Sequence, residues 1–276
     1  MTTGAETKSK VMVLCGGSPR HLYVANYLCR ELPVVAIVQE TGSQWTLAKV
    51  RKLLKPAALW SKGNRWLRDR LRYRSRCEAR FFFGNRPPAL ARPELQVSVP
   101  HINHPDVVAL ADRLQPDVIA VFGTSLIRGA LLERGRLGML NLHGGLSPDY
   151  RGADCTFWAL YNNEPEQVGC TLHFINAGID TGKLVAHICP AVEPGDDELT
   201  LFWRAVRDSA LVYAQAIQRL AEGERLGQEQ RHKGRLYQVK DRLGRHEREL
   251  ERRLRAGMLA AVALPPRVRW FTADGG

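Results

Sequence analysis

The sequence predicts an α/β fold, a mostly parallel sheet with helices on both faces. Three observations carry that prediction. Short β-branched apolar runs at 11–15, 34–38 and 117–122 show no polar alternation, so they read as strands buried on both faces. Segments of helical period separate them, as crossovers between parallel strands require. A long stretch at 197–222 places Leu199, Phe202, Val206, Tyr213, Ile217 and Leu220 at spacings of three, four and seven, the stripe of an amphipathic helix packed on a sheet.

Each element follows in order. The first strand, 11–15, leaves the sheet through the tight turn Gly16-Gly17-Ser18-Pro19, and the next helix carries Leu22, Ala25, Leu28 and Leu32 on one face. The strand at 34–38 completes a β-α-β unit with a right-handed crossover. After a basic stretch the same grammar returns: a helix at 105–114, a strand at 117–122, a connection over 123–138 and a strand at 139–143. Past the loop 144–154, a short helix around 157–161 leads to the alternating Cys170, Leu172 and Phe174 and then to 184–192, two further strands. The core is expected to end near Gly223. Beyond it lie a strand at 236–239, a charged helix at 242–256 and Leu264-Pro265-Pro266. The expected organisation is therefore a catalytic unit over 1–223 and a C-terminal extension over 224–276.

With 276 residues, 45% of them hydrophobic, the chain can bury one full-sized core. The first ten residues are polar, and no later run approaches the ~20 apolar residues of a membrane-spanning helix, which predicts neither export nor spanning and so a cytoplasmic protein. The six cysteines form no C-x-x-C pair, and four sit in apolar runs, so they read as reduced, buried thiols. The net charge of +12 is concentrated: from 43 to 80 there are twelve basic residues against Asp69 and Glu78. Interleaved with Trp45, Trp60, Trp66 and leucines, this stretch reads either as a solvated helical insertion capping the sheet or as a basic amphipathic surface. His101-Ile102-Asn103-His104, framed by Pro100 and Pro105, offers two histidines but no third ligand, so no metal site is expected. The Gly16-Gly17-Ser18 turn lacks the glycine and lysine patterns of nucleotide loops.

In Met139-Leu140-Asn141-Leu142-His143 the two polar side chains are two apart, so a strand projects both from one face. They sit where that strand ends, and open α/β sheets bind ligands beyond the carboxyl ends of their strands. Taken alone, the pair also fits a turn cap and a core histidine. Asn176-Ala177-Gly178-Ile179-Asp180-Thr181-Gly182 is a loop whose glycines permit close backbone approach and which holds one carboxylate; a plain hairpin turn is the other reading.

Taken together, Asn141 through Ala153 (NLHGGLSPDYRGA), Val168-Gly169-Cys170-Thr171 and Gly178-Ile179-Asp180-Thr181-Gly182-Lys183 resemble the signature of the folate-dependent formyltransferases. The resemblance is strongest over 117–192 and absent over 43–95. It implies a Rossmann-like formyltransferase core with a basic helical insertion at about 43–80 and a small C-terminal extension. It further implies 10-formyltetrahydrofolate as formyl donor, no metal, and Asn141, His143 and Asp180 as the catalytic set. Donor binding falls to Thr124, Ser125, Leu126 and Ile127 with Gly178 and Ile179, and acceptor binding to Gly144, Gly145, Tyr150 and Arg151. The Gly144-Gly145-Leu146-Ser147-Pro148 variant is similar to members tied to cell-surface polysaccharides, which implies an amino-sugar acceptor, nucleotide- or lipid-linked. The tail does not resemble the β-barrel that methionyl-tRNA formyltransferase sets beside its tRNA, which makes tRNA the second choice. The basic segment 43–80 adds peripheral contact with the inner membrane surface as an expectation. A noncatalytic relative binding nucleic acid or anionic membrane is the reading of another class.

Overall fold

The computed structural model describes residues 9–42 and 76–273. In chain order the principal elements are β1 (Val11–Cys15), α1 (Pro19–Glu31), β2 (Val34–Glu40), α2 (Arg76–Phe83), β3 (Gln96–Val99), α3 (Pro105–Leu114), β4 (Val118–Phe122), β5 (Gly138–His143), β6 (Tyr150–Gly152), α4 (Cys155–Tyr161), β7 (Cys170–Phe174), β8 (Leu184–Cys189), α5 (Glu198–Ala221), β9 (Arg235–Tyr237), α6 (Gly244–Arg255) and β10 (Arg267–Trp270). Most of the expected basic insertion, 43–75, lies outside the described residues, and its end is α2.

Eight strands form one sheet in the order β10-β8-β7-β5-β4-β1-β2-β3. Neighbours among β1 to β5 run parallel, and β7, β8 and β10 extend the sheet antiparallel. The mostly parallel sheet is thus observed, and its strands sort residues by parity as the pleat dictates. Val11, Val13 and Cys15 join the core beneath α1 and α5, whereas Met12 and Leu14 join the core beneath α3.

Chain order reverses beside β1: β2 and β3 lie to one side, β4 and β5 to the other. That switch point opens a crevice at the carboxyl ends of the strands. Fully buried Tyr213 of α5 holds it in shape. Its hydroxyl accepts the Val121 N–H at 2.7 Å and donates to the Leu140 carbonyl at 2.7 Å, bridging β4 and β5 where their pairing ends at Val121 and Asn141.

The structure departs from sequence expectation at the edges. Strand β3 is largely exposed, so it carries no buried apolar run to reveal it. Strand β8 stops at Cys189 rather than at 192, and Val192 forms an isolated bridge with Leu264. The segment beyond 223 adds edge strand β10 to the main sheet, pairs β9 with β6, and buries Leu226, Leu250, Leu259 and Phe271.

Candidate active site

A cleft of about 410 Å³ lies at the switch point. Its floor is the end of β5, one wall is the loop after β4, and the other is the loop between β7 and β8. Asn141 and His143 point into it from β5, as their two-residue spacing requires. In the antiparallel register Asn141 stands opposite His173, which brings a second imidazole to the floor.

The nitrogen roles follow from hydrogen bonding. His173 Nδ1 donates to the Phe174 carbonyl at 2.8 Å, and its Nε2 lies 3.1 Å from the Asn141 amide nitrogen. His143 Nε2 donates to the Tyr150 carbonyl at 3.1 Å, which leaves Nδ1 facing Asp180 Oδ2 at 3.5 Å. The other oxygen of Asp180 lies 3.5 Å from His173 Nε2. Asn141, His143, His173 and Asp180 therefore form one cluster.

Burial sets its charge state. Desolvation pushes the His143 pKa below the ordinary imidazole value, and Asp180 offsets that only in part, so the ring is neutral at pH 7. Burial acts to raise the Asp180 pKa, but the two histidines and the Gly152 N–H, 3.0 Å from Oδ2, outweigh it and hold the carboxyl well below the usual carboxylate range. The site thus pairs a neutral imidazole with an ionised carboxylate.

The loops are held from outside the cleft. Glu40, at the end of β2, accepts the Ser125 N–H at 2.6 Å and the Ser125 hydroxyl at 2.5 Å. His101 Nε2 sits 3.3 Å from that hydroxyl. Asn103 donates to the Leu126 carbonyl at 2.9 Å and accepts the Arg128 N–H at 2.8 Å. The 101–104 motif thus clasps the loop after β4, and among the described residues no group of three His, Cys, Asp or Glu could hold a metal. Gly182 is required by close approach: a Cβ there would meet the Phe174 carbonyl oxygen at 1.7 Å.

Thr124, Ser125, Leu126, Ile127, Gly178 and Ile179 line the cleft, as does Gly144. Gly145, Tyr150 and Arg151 do not. A Cβ on Gly145 would strike Cys155 at 2.5 Å, which marks a packing position. The buried Tyr150 ring stacks on Tyr237, and its hydroxyl donates to Glu164, away from the cleft. The guanidinium of Arg151 is buried behind the wall, on the carbonyls of Ile179 at 3.4 Å and Gly234 at 3.1 Å. The peptide between β6 and the carboxylate, rather than these side chains, meets the site. His173, Glu40 and Asn103 join the site without being among the residues the sequence marks for it. His173 emerges only from strand register, because its own segment reads as plain alternation.

The cleft combines a polar floor with partly apolar walls. Its size is within the range of small-molecule sites. Val121, Ile127, Ile175 and Phe202 give it apolar walls, and Leu126 and Ile179, 38% and 45% exposed, offer uncovered apolar surface at its margin.

Residues 84–217 match the family model described as Formyl transferase. Over 123 residues the chain is 32% identical to methionyl-tRNA formyltransferase from Chlorobium chlorochromatii (strain CaD3), covering 45% of this chain and 39% of that protein. The chain thus spans about two fifths of the length of the curated relatives it matches. Among solved structures it resembles a sugar N-formyltransferase from Shewanella sp FDAARGOS_354, with a TM-score of 0.52, 16% identity and coverage of 84% of this chain and 78% of that one. It also resembles glycinamide ribonucleotide transformylase 1 from Symbiobacterium toebii, with a TM-score of 0.50, 24% identity and coverage of 84% and 96%. At these identities the structural likeness establishes the fold.

Proposed function

We propose, on the match of residues 84–217 to the formyl transferase model, that the chain moves the formyl group of 10-formyltetrahydrofolate to the primary amine of an amino sugar bearing phosphate. The observation that carries the reading is the cluster of Asn141, His143, His173 and Asp180 on the floor of a cleft walled in part by Val121, Ile127, Ile175 and Phe202.

The donor would lie between the 124–127 loop and the Gly178-Ile179 turn and would supply a formyl carbon bonded to nitrogen. Attack by an amine builds negative charge on the formyl oxygen and positive charge on the attacking nitrogen. Asn141 has one amide N–H on His173 and a second available for that oxygen; a fixed donor of this kind contributes a ~10²–10³-fold effect. The bare Nδ1 of His143 takes the proton from the attacking nitrogen, and Asp180 stabilises the imidazolium so formed. The same proton can then pass to the departing folate nitrogen.

Charge supports an anionic acceptor. The exposed segment beside β6 carries Arg231, Lys233, Arg235 and Lys240 with no acidic residue between 231 and 240. The twelve basic residues of 43–80 add to the net charge of +12, and a net positive charge favours association with anions. A second reading, an aminoacyl-tRNA acceptor, is favoured by the 32% identity to a tRNA enzyme and the net charge of +12. No helix among the described residues is long and apolar enough to cross a membrane. Action at the inner membrane surface, on a lipid-linked acceptor, belongs to this proposal through the segment 43–80.

The test is incubation with 10-formyltetrahydrofolate and, separately, nucleotide-linked amino sugars, their phosphate-free forms and aminoacyl-tRNA, with products read by mass spectrometry. Formylation of the phosphate-bearing sugars alone is expected. Preference for tRNA would move the assignment to the second reading, and no formylated product in any arm would reject both.

A further inference from the structure

We propose that Gln230 is a positioning residue, whose side-chain amide sets the place of the Asp180 carboxylate against His143 and His173. Its Nε2 donates to two carbonyls of the same loop, Asp180 at 2.9 Å and Gly182 at 2.8 Å. One side chain therefore grips the backbone on both sides of Thr181.

The loop needs an external hold. Asp180 has φ of 49°, in the left-handed region that is uncommon for non-glycine residues and that aspartate enters more readily than most. Asn176 organises the loop internally, accepting from the Gly178 N–H at 3.0 Å and the Thr181 hydroxyl at 2.8 Å. Those bonds fix the turn's shape but not its distance from the histidines. The Gly152 N–H and the Gln230 amide hold Asp180 from opposite ends, one at its carboxylate and the other at its carbonyl, while Arg151 reaches the neighbouring Ile179 carbonyl at 3.4 Å.

Gln230 is itself fixed on both sides. Two residues before it, Gln228 and Leu184 exchange backbone N–H···O bonds of 2.9 and 2.8 Å, and Gly227 donates to the Phe271 carbonyl at 2.8 Å. Four residues after it, the Gly234 carbonyl accepts from the buried Arg151 at 3.1 Å, and β9 then pairs with β6. The strap 226–237 is thus tied to the sheet at one end and to the β6 wall at the other. Gln230 reaches from its middle to the reactive loop.

Two carbonyl bonds lost together, at a centre that depends on a 3.5 Å contact, should lower kcat about tenfold or more without removing any group that touches donor or acceptor. The kinetic arm rests on the formyl-transfer reading; the positioning claim does not. The experiment therefore pairs kinetics with NMR titration of the His143 and His173 rings in the full-length protein. The variant is Gln230→Met, similar in size without donors, with Gln230→Glu as the second variant should the first fail to fold. Glu229→Gln is the control, since Glu229 is exposed and pairs with Lys183 at 3.5 Å.

His143 is faced by Asp180, His173, Arg151, Cys155 and the Tyr150 carbonyl. Of these, only Asp180 hangs from the loop that Gln230 grips, and its field raises the His143 pKa. Displacement of Asp180 should therefore shift the His143 titration to lower pH in the variant and leave it in place in the control. Binding of 5-formyltetrahydrofolate should be retained and kcat should fall. A folded Gln230→Met protein whose His143 titration and kcat both match the wild type overturns the proposal. Absence of donor binding and turnover in the wild type, with the titration still shifted, would reject the formyl-transfer reading and leave the positioning role standing.

Discussion

His143 spends its Nε2 proton on the Tyr150 carbonyl, and from that one bond its chemistry follows: the nitrogen that faces the carboxylate is a lone pair, and the ring is a base. Asp180, held ionised, then stabilises the charged ring only after proton uptake. His143→Ala and Asp180→Asn should each lower turnover about 10²–10³-fold while the thermal melt stays near that of the wild type. A melt lowered in proportion to activity would instead assign these residues to the core. Activity requires neutral His143, and burial holds its pKa below 6.5. The His143 ring should therefore titrate below 6.5 when followed by NMR, and a ring that titrates above 7 would contradict the neutral-base assignment.

Among elements, the loop after β4 is held from outside by β2 and by the 101–104 segment. Glu40 and Asn103 hold four of its polar groups, so Glu40→Gln and Asn103→Ala should weaken donor binding about tenfold and leave kcat within about twofold. Calorimetry with a donor analogue alongside kinetics checks this, and unchanged affinity in both variants would remove the clasp. The same elements show what a sequence discloses. Buried strands and long helices are legible because burial on both faces, or a stripe of period 3.6, writes itself into residue order; α3 has its expected ends, 105–114. The spacing of two puts Asn141 and His143 on one face of a strand, and the family resemblance, not the spacing, marks them as site residues. His173 is not legible, because its place beside Asn141 comes from an antiparallel pairing that no local pattern encodes. Tyr150 and Arg151, acceptor ligands by the resemblance, do not line the cleft: the Tyr150 ring stacks on Tyr237 and the Arg151 guanidinium lies behind the wall on the Ile179 and Gly234 carbonyls. The clasp is half visible: 101–104 stands out, but its partner loop lies about twenty residues on.

For the molecule as a whole, the segment beyond 223 closes the fold. It buries Leu226, Leu250, Leu259 and Phe271, and a fully buried side chain of this kind contributes about 1.5–3 kcal/mol. Truncation after Gly223 should give insoluble protein; a soluble, cooperatively melting 1–223 fragment would show that the core stands without its tail. Acid should also weaken the fold. Burial lowers the pKa of His143, of His21 to about 3 and of His187 to about 4, while the unfolded chain takes up these protons near 6.5. The unfolded state then binds more protons between about 4 and 6.5, so stability is complete above 6.5 and falls as pH drops through that window. Glu198, whose buried carboxyl is raised, has the opposite sign, one group against three. Denaturant midpoints at pH 7.5 and 5 should differ with the lower value at pH 5, and equal midpoints would contradict the buried neutral histidines.

A reduced folate is expected to bind in the cleft at the strand switch point. Calorimetric titration of the full-length protein with 5-formyltetrahydrofolate, a stable analogue of the donor, tests it whatever the acceptor proves to be. The account predicts saturable binding with one site per chain, weakened in Glu40→Gln and Asn103→Ala and retained in Asp180→Asn. No heat of binding from the folded wild-type protein would contradict it.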